Sequence, residues 1–223
     1  MKISTGSSLT DSFLNGGYEN DVVTTIYGPA GSGKTLFCLL ALLKIAEKKK
    51  KIIYIDTEGG FSSERLKQLT EDYKNVLDNV VFLRPTSFKE QKNAFGKLKE
   101  IINEKIGLVI VDTISMLYRL ELGKNEDIYG VNKDLGQQLG YLNEIVRKKK
   151  IPVLITNQVY ANFENKNSVN IVGGDLLRYG SKCMIELQIG HKGSRKAILR
   201  KHRSIIEEKE IMFKIIEKGI ASI

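Results

Sequence analysis

The sequence predicts an α/β fold: a central, mostly parallel sheet flanked by helices and extended at one edge by antiparallel C-terminal strands. Three observations predict it. A β-branched run, Val22 to Tyr27 (VVTTIY), leads into Gly28-Pro29-Ala30-Gly31-Ser32-Gly33-Lys34-Thr35, and apolar residues at helical spacing follow. Downstream, short continuous apolar runs alternate with amphipathic segments, the pattern of strands buried on both faces and joined by crossover helices. The last third changes to alternating apolar and polar residues with short polar turns, which fits antiparallel strands with one solvated face.

Each element follows in order. Leu36, Leu39, Leu40, Leu43 and Ala46 mark the helix opened by the glycine loop. Ile52 to Asp56 (IIYID) is a strand, Ser62 to Tyr73 a helix and Val80 to Leu83 a short strand. Ser87 and Glu90 form a capping box for a helix running to about Glu104, with Phe88, Phe95, Leu98 and Ile102 on one face. Leu108 to Asp112 (LVIVD) is a buried strand. A helix from about Asn132 to Lys148 carries Leu135, Leu139, Leu142 and Val146, and Val153 to Thr156 is the next strand. Met184 to Ile189, Arg195 to Arg200 and Ile211 to Ile216 are the antiparallel strands. Without a long linker, repeat or low-complexity tract, residues 1–223 read as one domain.

The glycine loop matches G-x-x-x-x-G-K-[ST], a phosphate-binding loop, in the strand–loop–helix setting that this motif requires. Its glycines let successive N–H groups converge on phosphate oxygens at a helix N-terminus. Lys34 is placed to reach the β- and γ-phosphates, and the Thr35 hydroxyl to ligate Mg²⁺. In a parallel sheet, ligands bind at the carboxyl ends of the strands. Asp112 closes LVIVD there, Asp56, Thr57 and Glu58 close the second strand, and Asn157 and Gln158 close ITNQ. A carboxylate beside the γ-phosphate can polarise water, and an amide can sense whether that phosphate is present. A strand-end aspartate alone is more often a turn cap; three polar strand ends beside a phosphate loop favour the catalytic reading.

Composition narrows the classes. Hydrophobic residues make up 42%, no apolar run reaches the length of a membrane span, and MKISTGSSLTD lacks a signal-peptide core, so the cytoplasm is expected. Cys38 and Cys183 are far apart with no ligand spacing around them, which argues against zinc, and Cys38, on the apolar helix after the glycine loop, is expected to be a buried reduced thiol. The net charge of +9 suggests an anionic partner. Two of its basic runs, Lys48 to Lys51 and Arg147 to Lys150, each end a helix just before a strand, however. There they complement the helix dipole at the sheet end away from the phosphate loop, and read as solvated caps rather than a DNA surface.

GPAGSGKT, YIDTEGGFSSERL, LVIVDTIS, ITNQV and the Gly-Gly of IVGGDLL, in this order, resemble the RecA/RadA recombinase core from about Ser4 to Ile216. IYGPAGSGKT, LYRLE, the short loop after ITNQVY, GGDLL and LRKHRS are similar to its archaeal RadB subgroup. The resemblance implies a RecA-type P-loop ATPase core that uses ATP and Mg²⁺, binds DNA and takes part in homologous recombination. It implies Glu58 as the residue that activates water, Gln158 as the link from the γ-phosphate to a DNA loop, and Asp112 as the Walker B aspartate. Arg65 matches an arginine packed on the adenine face, although Ser62-Ser63 stand where the family has Arg-Pro; a solvated helix face is the other reading.

Two DNA loops are implied, about Arg119 to Gly130 and about Tyr160 to Val172. Arg119, Lys124, Tyr160 and Lys166 are their candidate contacts. Tyr160 and Phe163 suit either base stacking or surface packing. Lys201-His202-Arg203 follows AILR at a place where the KaiC-like branch has a K-x-R that reaches a neighbour's phosphates. Lys201 and Arg203 are therefore candidates for a finger acting in trans; a basic surface turn and a DNA-phosphate contact are the alternatives, and His202 is expected to be an exposed turn residue. About twenty residues precede the first strand, too few for the family's helix-hairpin-helix domain and for its Phe-x-x-Ala linker. The expectation is thus a weak Mg-dependent ATPase accessory to recombination and repair, unlikely to exchange strands itself. The resemblance suggests the main archaeal recombinase and a Holliday-junction nuclease as partners, and self-association without a filament linker. An ATP-gated protein-binding adaptor and a KaiC-like signalling ATPase are the competing readings.

Overall fold

In the computed structural model, residues 1–124, 126–161 and 169–223 are described. A small N-terminal unit pairs β1 (Lys2–Ile3) with β2 (Tyr18–Glu19) around α1 (Ser8–Phe13). The chain then runs through β3 (Val23–Tyr27), α2 (Lys34–Glu47), β4 (Lys51–Asp56), α3 (Ser63–Leu69), α4 (Tyr73–Asp78), β5 (Val80–Leu83) and α5 (Phe88–Ile101). Next come β6 (Ile106–Asp112), α6 (Met116–Leu122), α7 (Ile128–Lys149) and β7 (Val153–Asn157). The last part holds β8 (Val159–Ala161), β9 (Val169–Ile171), α8 (Gly174–Gly180), β10 (Cys183–Ile189), β11 (Ser194–His202), β12 (Glu210–Ile216) and β13 (Gly219–Ser222).

One nine-stranded sheet, ordered β13-β12-β11-β10-β3-β7-β6-β4-β5, organises the molecule. From β10 to β5 all neighbours are parallel, whereas β11, β12 and β13 join antiparallel at the β10 side. The inner parallel strands β3, β4, β6 and β7 are mostly apolar and buried because both of their faces are covered. Ile52, Tyr54, Leu108, Ile110 and Leu154 pack with Phe37, Leu39 and Leu42 of α2. Ile53, Ile55, Val109, Val111 and Val153 pack on the opposite face with α5, α7 and α8 through Leu98, Leu135, Leu142 and Leu177. Period-two alternation of β-carbons thus feeds two cores from each strand.

Several features differ from the sequence reading. The helix expected over Ser62 to Tyr73 is two short helices. Thr70 is extended and its hydroxyl accepts the Asp72 N–H, a local side-chain turn that outcompetes helix continuation. The long helix begins at Ile128 rather than Asn132, because Asp127 caps it by accepting the Gly130 N–H at 2.8 Å. Consequently Arg119 stands on α6 and Ile128 to Gly130 on α7, so most of the stretch read as the first DNA loop is helical. His202, expected to be exposed, is buried: it is the last residue of β11 and turns inward against Glu19.

Other expectations stand. Ser87 accepts the Glu90 N–H at 3.2 Å, while Glu90 reaches back to the Thr86 N–H at 2.7 Å, one residue earlier than in the usual box. Cys38 and Cys183 are free and buried. Lys50 and Lys51 donate to the carbonyls of Glu104 and Asp78, outside the helix that their run ends. Among the described residues, no helix is long and apolar enough to cross a membrane.

Candidate functional site

The loop between β3 and α2 supplies the cradle. Gly33 is the N-cap of α2 with φ of 107°, a left-handed conformation that a side chain would strain. Gly28 lies so close to the Leu187 carbonyl of neighbouring β10 that any β-carbon would collide with it. Lys34 Nζ donates to the carbonyls of Gly28 and Pro29, each at 2.9 Å. Burial lowers its pKa, opposed by the negative charges of Glu58 and Asp112.

The strand ends converge on this loop. Thr35 Oγ1 donates to Asp112 Oδ2 at 2.7 Å, joining the first turn of α2 to the end of β6. Asp112 is 3% exposed and also accepts the Tyr54 hydroxyl at 2.7 Å and the Thr156 hydroxyl. Glu58 Oε1 accepts from Thr113 Oγ1 at 2.9 Å and from Gln158 Nε2 at 2.5 Å. Asp56 has a different task from its strand-end neighbours: it accepts the Gly60 and Phe61 N–H groups at 3.1 and 3.3 Å and so shapes the turn that carries Glu58. Thr57 Oγ1 donates to the Thr113 carbonyl and accepts the Thr113 N–H, locking the ends of β4 and β6 together. Asn157 braces Val172 rather than facing the loop.

Gln158 also stands at the foot of the antiparallel β8–β9 hairpin, where its carbonyl accepts the Val172 N–H at 3.2 Å. Tyr160, on that hairpin, is 53% exposed. Arg119 and Lys124 are exposed near the same sheet end, whereas Phe163, Glu164 and Lys166 lie outside the described residues. Arg65 reaches the β12–β13 turn: its guanidinium donates to the carbonyls of Ile216 and Glu217 at 2.7 and 2.9 Å.

Lys201 and Arg203 lie elsewhere. Since β11 runs antiparallel to β10, its C-terminal end stands beside Cys183 and Thr24, at the sheet end away from the loop. Lys201 Nζ donates to the Arg178 carbonyl, and Arg203 pairs with Glu19 at 2.9 Å and Asp21 at 2.7 Å. Neither side chain touches the phosphate loop of its own chain. At the other end of β11, Arg195 donates to the Gly31 carbonyl at 3.3 and 3.4 Å.

Sequence reasoning missed Tyr54, Thr113, Thr156 and Arg195. Thr113 was within reach, because it directly follows the strand-end aspartate. Tyr54 and Thr156 read as ordinary strand residues, and only the sheet order brings their hydroxyls to Asp112.

The donors around Thr35 and Asp112 are a hydroxyl and a carboxylate, hard oxygens suited to Mg²⁺. Among the described residues no group of three or more His, Cys, Asp or Glu side chains could hold a metal.

A phosphate loop on a central parallel strand, with its threonine on the strand-end aspartate and a glutamate–glutamine pair alongside, defines a RecA-type nucleotide-binding core. The chain belongs to the Rad51 family, whose model matches residues 1–223, and within it groups with the archaeal RadB proteins. The "DNA repair and recombination protein RadB" of Methanobrevibacter smithii is 40% identical over 98% of this chain and 95% of its own length. The protein of the same description from Methanocaldococcus jannaschii is 41% identical over 93% and 96%. A solved structure described as "Crystal structure of the RadB recombinase" superposes with a TM-score of 0.85 at 36% identity, covering 99% of both chains.

Proposed function

We propose that this chain is an ATP- and DNA-binding accessory protein of homologous recombination and DNA repair, a slow Mg-dependent ATPase that does not itself exchange strands. The observation that carries this reading is the Gln158–Glu58 hydrogen bond, because it ties the base of the β8–β9 hairpin to the carboxylate beside the phosphate loop. In this reading Lys34 leaves the carbonyls of Gly28 and Pro29 for the β- and γ-phosphate oxygens, and Arg65 lies against the adenine. Glu58 accepts the proton of the attacking water. Before that step, while ATP is intact, Gln158 exchanges Glu58 for the γ-phosphate, moving the hairpin with it. Thr35 and Asp112 would hold magnesium, which would supply charge neutralisation at the phosphates. Arg119, Lys124, Tyr160 and Lys166 contact DNA.

Slow turnover has a physical basis here. To act as a finger in trans, Arg203 must leave both Glu19 and Asp21, and Lys201 must leave the Arg178 carbonyl. An isolated subunit therefore lacks that transition-state charge. We place the protein in the cytoplasm, self-associating without long filaments and modulating a recombinase or a junction-cleaving nuclease.

Single-stranded DNA binding by fluorescence anisotropy, with ATP, with ADP and without nucleotide across a salt series, tests the reading. Binding strengthened by ATP, with a steep salt slope, is expected. Absence of DNA binding at moderate salt would overturn it in favour of an ATP-gated protein-binding adaptor.

A further inference from the structure

Asp112 is a nearly water-free carboxylate whose lone pairs are almost all spoken for. A carboxylate offers about four acceptor positions. On Oδ2 they are met by Thr35 from α2 and Tyr54 from β4, each at 2.7 Å, and on Oδ1 one is met by Thr156 from β7. Hydroxyls from three separate elements thus fix both the position and the plane of the group, leaving one acceptor position on Oδ1. Thr35 is a direct candidate ligand. Tyr54 and Thr156 belong to neither the phosphate loop nor the Glu58–Gln158 pair.

The direction of the Tyr54 hydroxyl is itself determined. Its ring is fully buried and packs edge-on against Phe61 at 5.4 Å and tilted against Phe82 at 5.8 Å. Phe61 ends the Glu58 turn, with its N–H on Asp56. A single aromatic cluster therefore holds both the turn that bears Glu58 and the phenol that orients Asp112.

We propose that Tyr54 and Thr156 are positioning residues for the divalent cation, acting through Asp112: they hold its carboxylate in a fixed plane beside Thr35, where the two side chains would hold the cation. The proposal rests on the Mg-nucleotide reading above. With the phenol removed, Asp112 can rotate about its side-chain bonds, and cation affinity falls while the phosphate loop stays intact. Losing an outer hydrogen-bond partner of a metal ligand typically weakens metal binding by about tenfold or more.

The test is a titration of MgCl₂ against binding of a fluorescent ADP analogue, with the same analogue measured in EDTA. Wild type, Tyr54→Phe, Thr156→Val and Thr156→Ser are compared. For Tyr54→Phe and Thr156→Val the half-saturating Mg²⁺ concentration should rise about tenfold, with affinity in EDTA unchanged and Thr156→Ser close to wild type. A merely structural role would lower the melting temperature without moving the Mg²⁺ midpoint, and that result overturns the proposal. Should Tyr54→Phe fail to fold, the Thr156 pair decides. A wild-type protein that binds the analogue identically with and without Mg²⁺ would instead overturn the underlying Mg-nucleotide reading, and the two failures are thereby distinguishable.

Discussion

Gln158 Nε2 lies 2.5 Å from Glu58 Oε1, joining across a hundred residues of chain the amide at the foot of the β8–β9 hairpin and the carboxylate beside the phosphate loop. Thr113 holds the same carboxylate oxygen at 2.9 Å, so when the amide leaves, Glu58 keeps a partner and its orientation. The pair can therefore separate without setting Glu58 adrift, which a sensor acting on a general base requires.

Under the proposed function, Glu58→Gln should remove the proposed base while keeping its shape. Hydrolysis at saturating ATP, followed as phosphate release, should drop by about 10²- to 10⁴-fold. Nucleotide affinity should change little, because Glu58 is not part of the loop that grips the phosphates.

Gln158→Ala should separate the two halves of the mechanism. Nucleotide binding should persist, whereas the ATP-dependent gain in DNA affinity disappears. Anisotropy curves with ATP and with ADP should then coincide. If they stay apart as in wild type, Gln158 is not the link.

Arg203→Ala should lower hydrolysis only under conditions in which subunits assemble. ATPase assays across a protein concentration series, paired with light scattering, check this. An unchanged rate in an assembled form would refute a role in trans and leave Arg203 as the partner of Glu19 and Asp21.

His202 makes stability pH-dependent. Burial lowers its pKa from the usual histidine value; Glu19 opposes this, and Lys2 and Arg203 add to it. The unfolded chain therefore takes up the proton more readily than the folded one. The stability contributed by this group is complete above the unfolded pKa of about 6.5 and is lost progressively as pH falls from there through the lower folded pKa. Between about pH 7 and pH 5, the melting temperature of wild type should fall more than that of His202→Gln.

The α7 face of the core should be sensitive to truncation. Leu142 is fully buried among β-strand and helix side chains. Leu142→Ala should cost about 2–5 kcal/mol in urea unfolding, with the nucleotide site unaffected in the folded fraction.

Much of this was legible in the sequence because it depends on local pattern. The run VVTTIY before a glycine loop, the apolar LVIVD closed by Asp112, and the leucines of α2 and α7 each declare an element within a dozen residues. Their alternation defined a parallel sheet, and carboxyl-end logic placed Glu58, Asp112 and Gln158 together. Local pattern failed where short polar side chains decide. Thr70 and Asp72 split a helix, and Asp127 started α7 four residues early. The N-terminal pair β1–β2 and the strand β13 are too short to show a periodicity.

Sequence alone determined the phosphate loop, the class of fold and the chemical identity of the residues at the strand ends, because each follows from spacing along the chain. Tertiary structure decided which of those residues meet one another at the loop and which brace the turns around it. Asp56 and Glu58 are two positions apart and both acidic, yet one caps a turn and the other faces Gln158. Tyr54 and Thr156 are ordinary strand residues until β6 is placed between β4 and β7, which carries both hydroxyls to Asp112. Arg203 lies at the far end of the sheet because β11 runs antiparallel. Hydrogen bonds act over about 3 Å in space, and only strand order and direction determine which distant residues come that close.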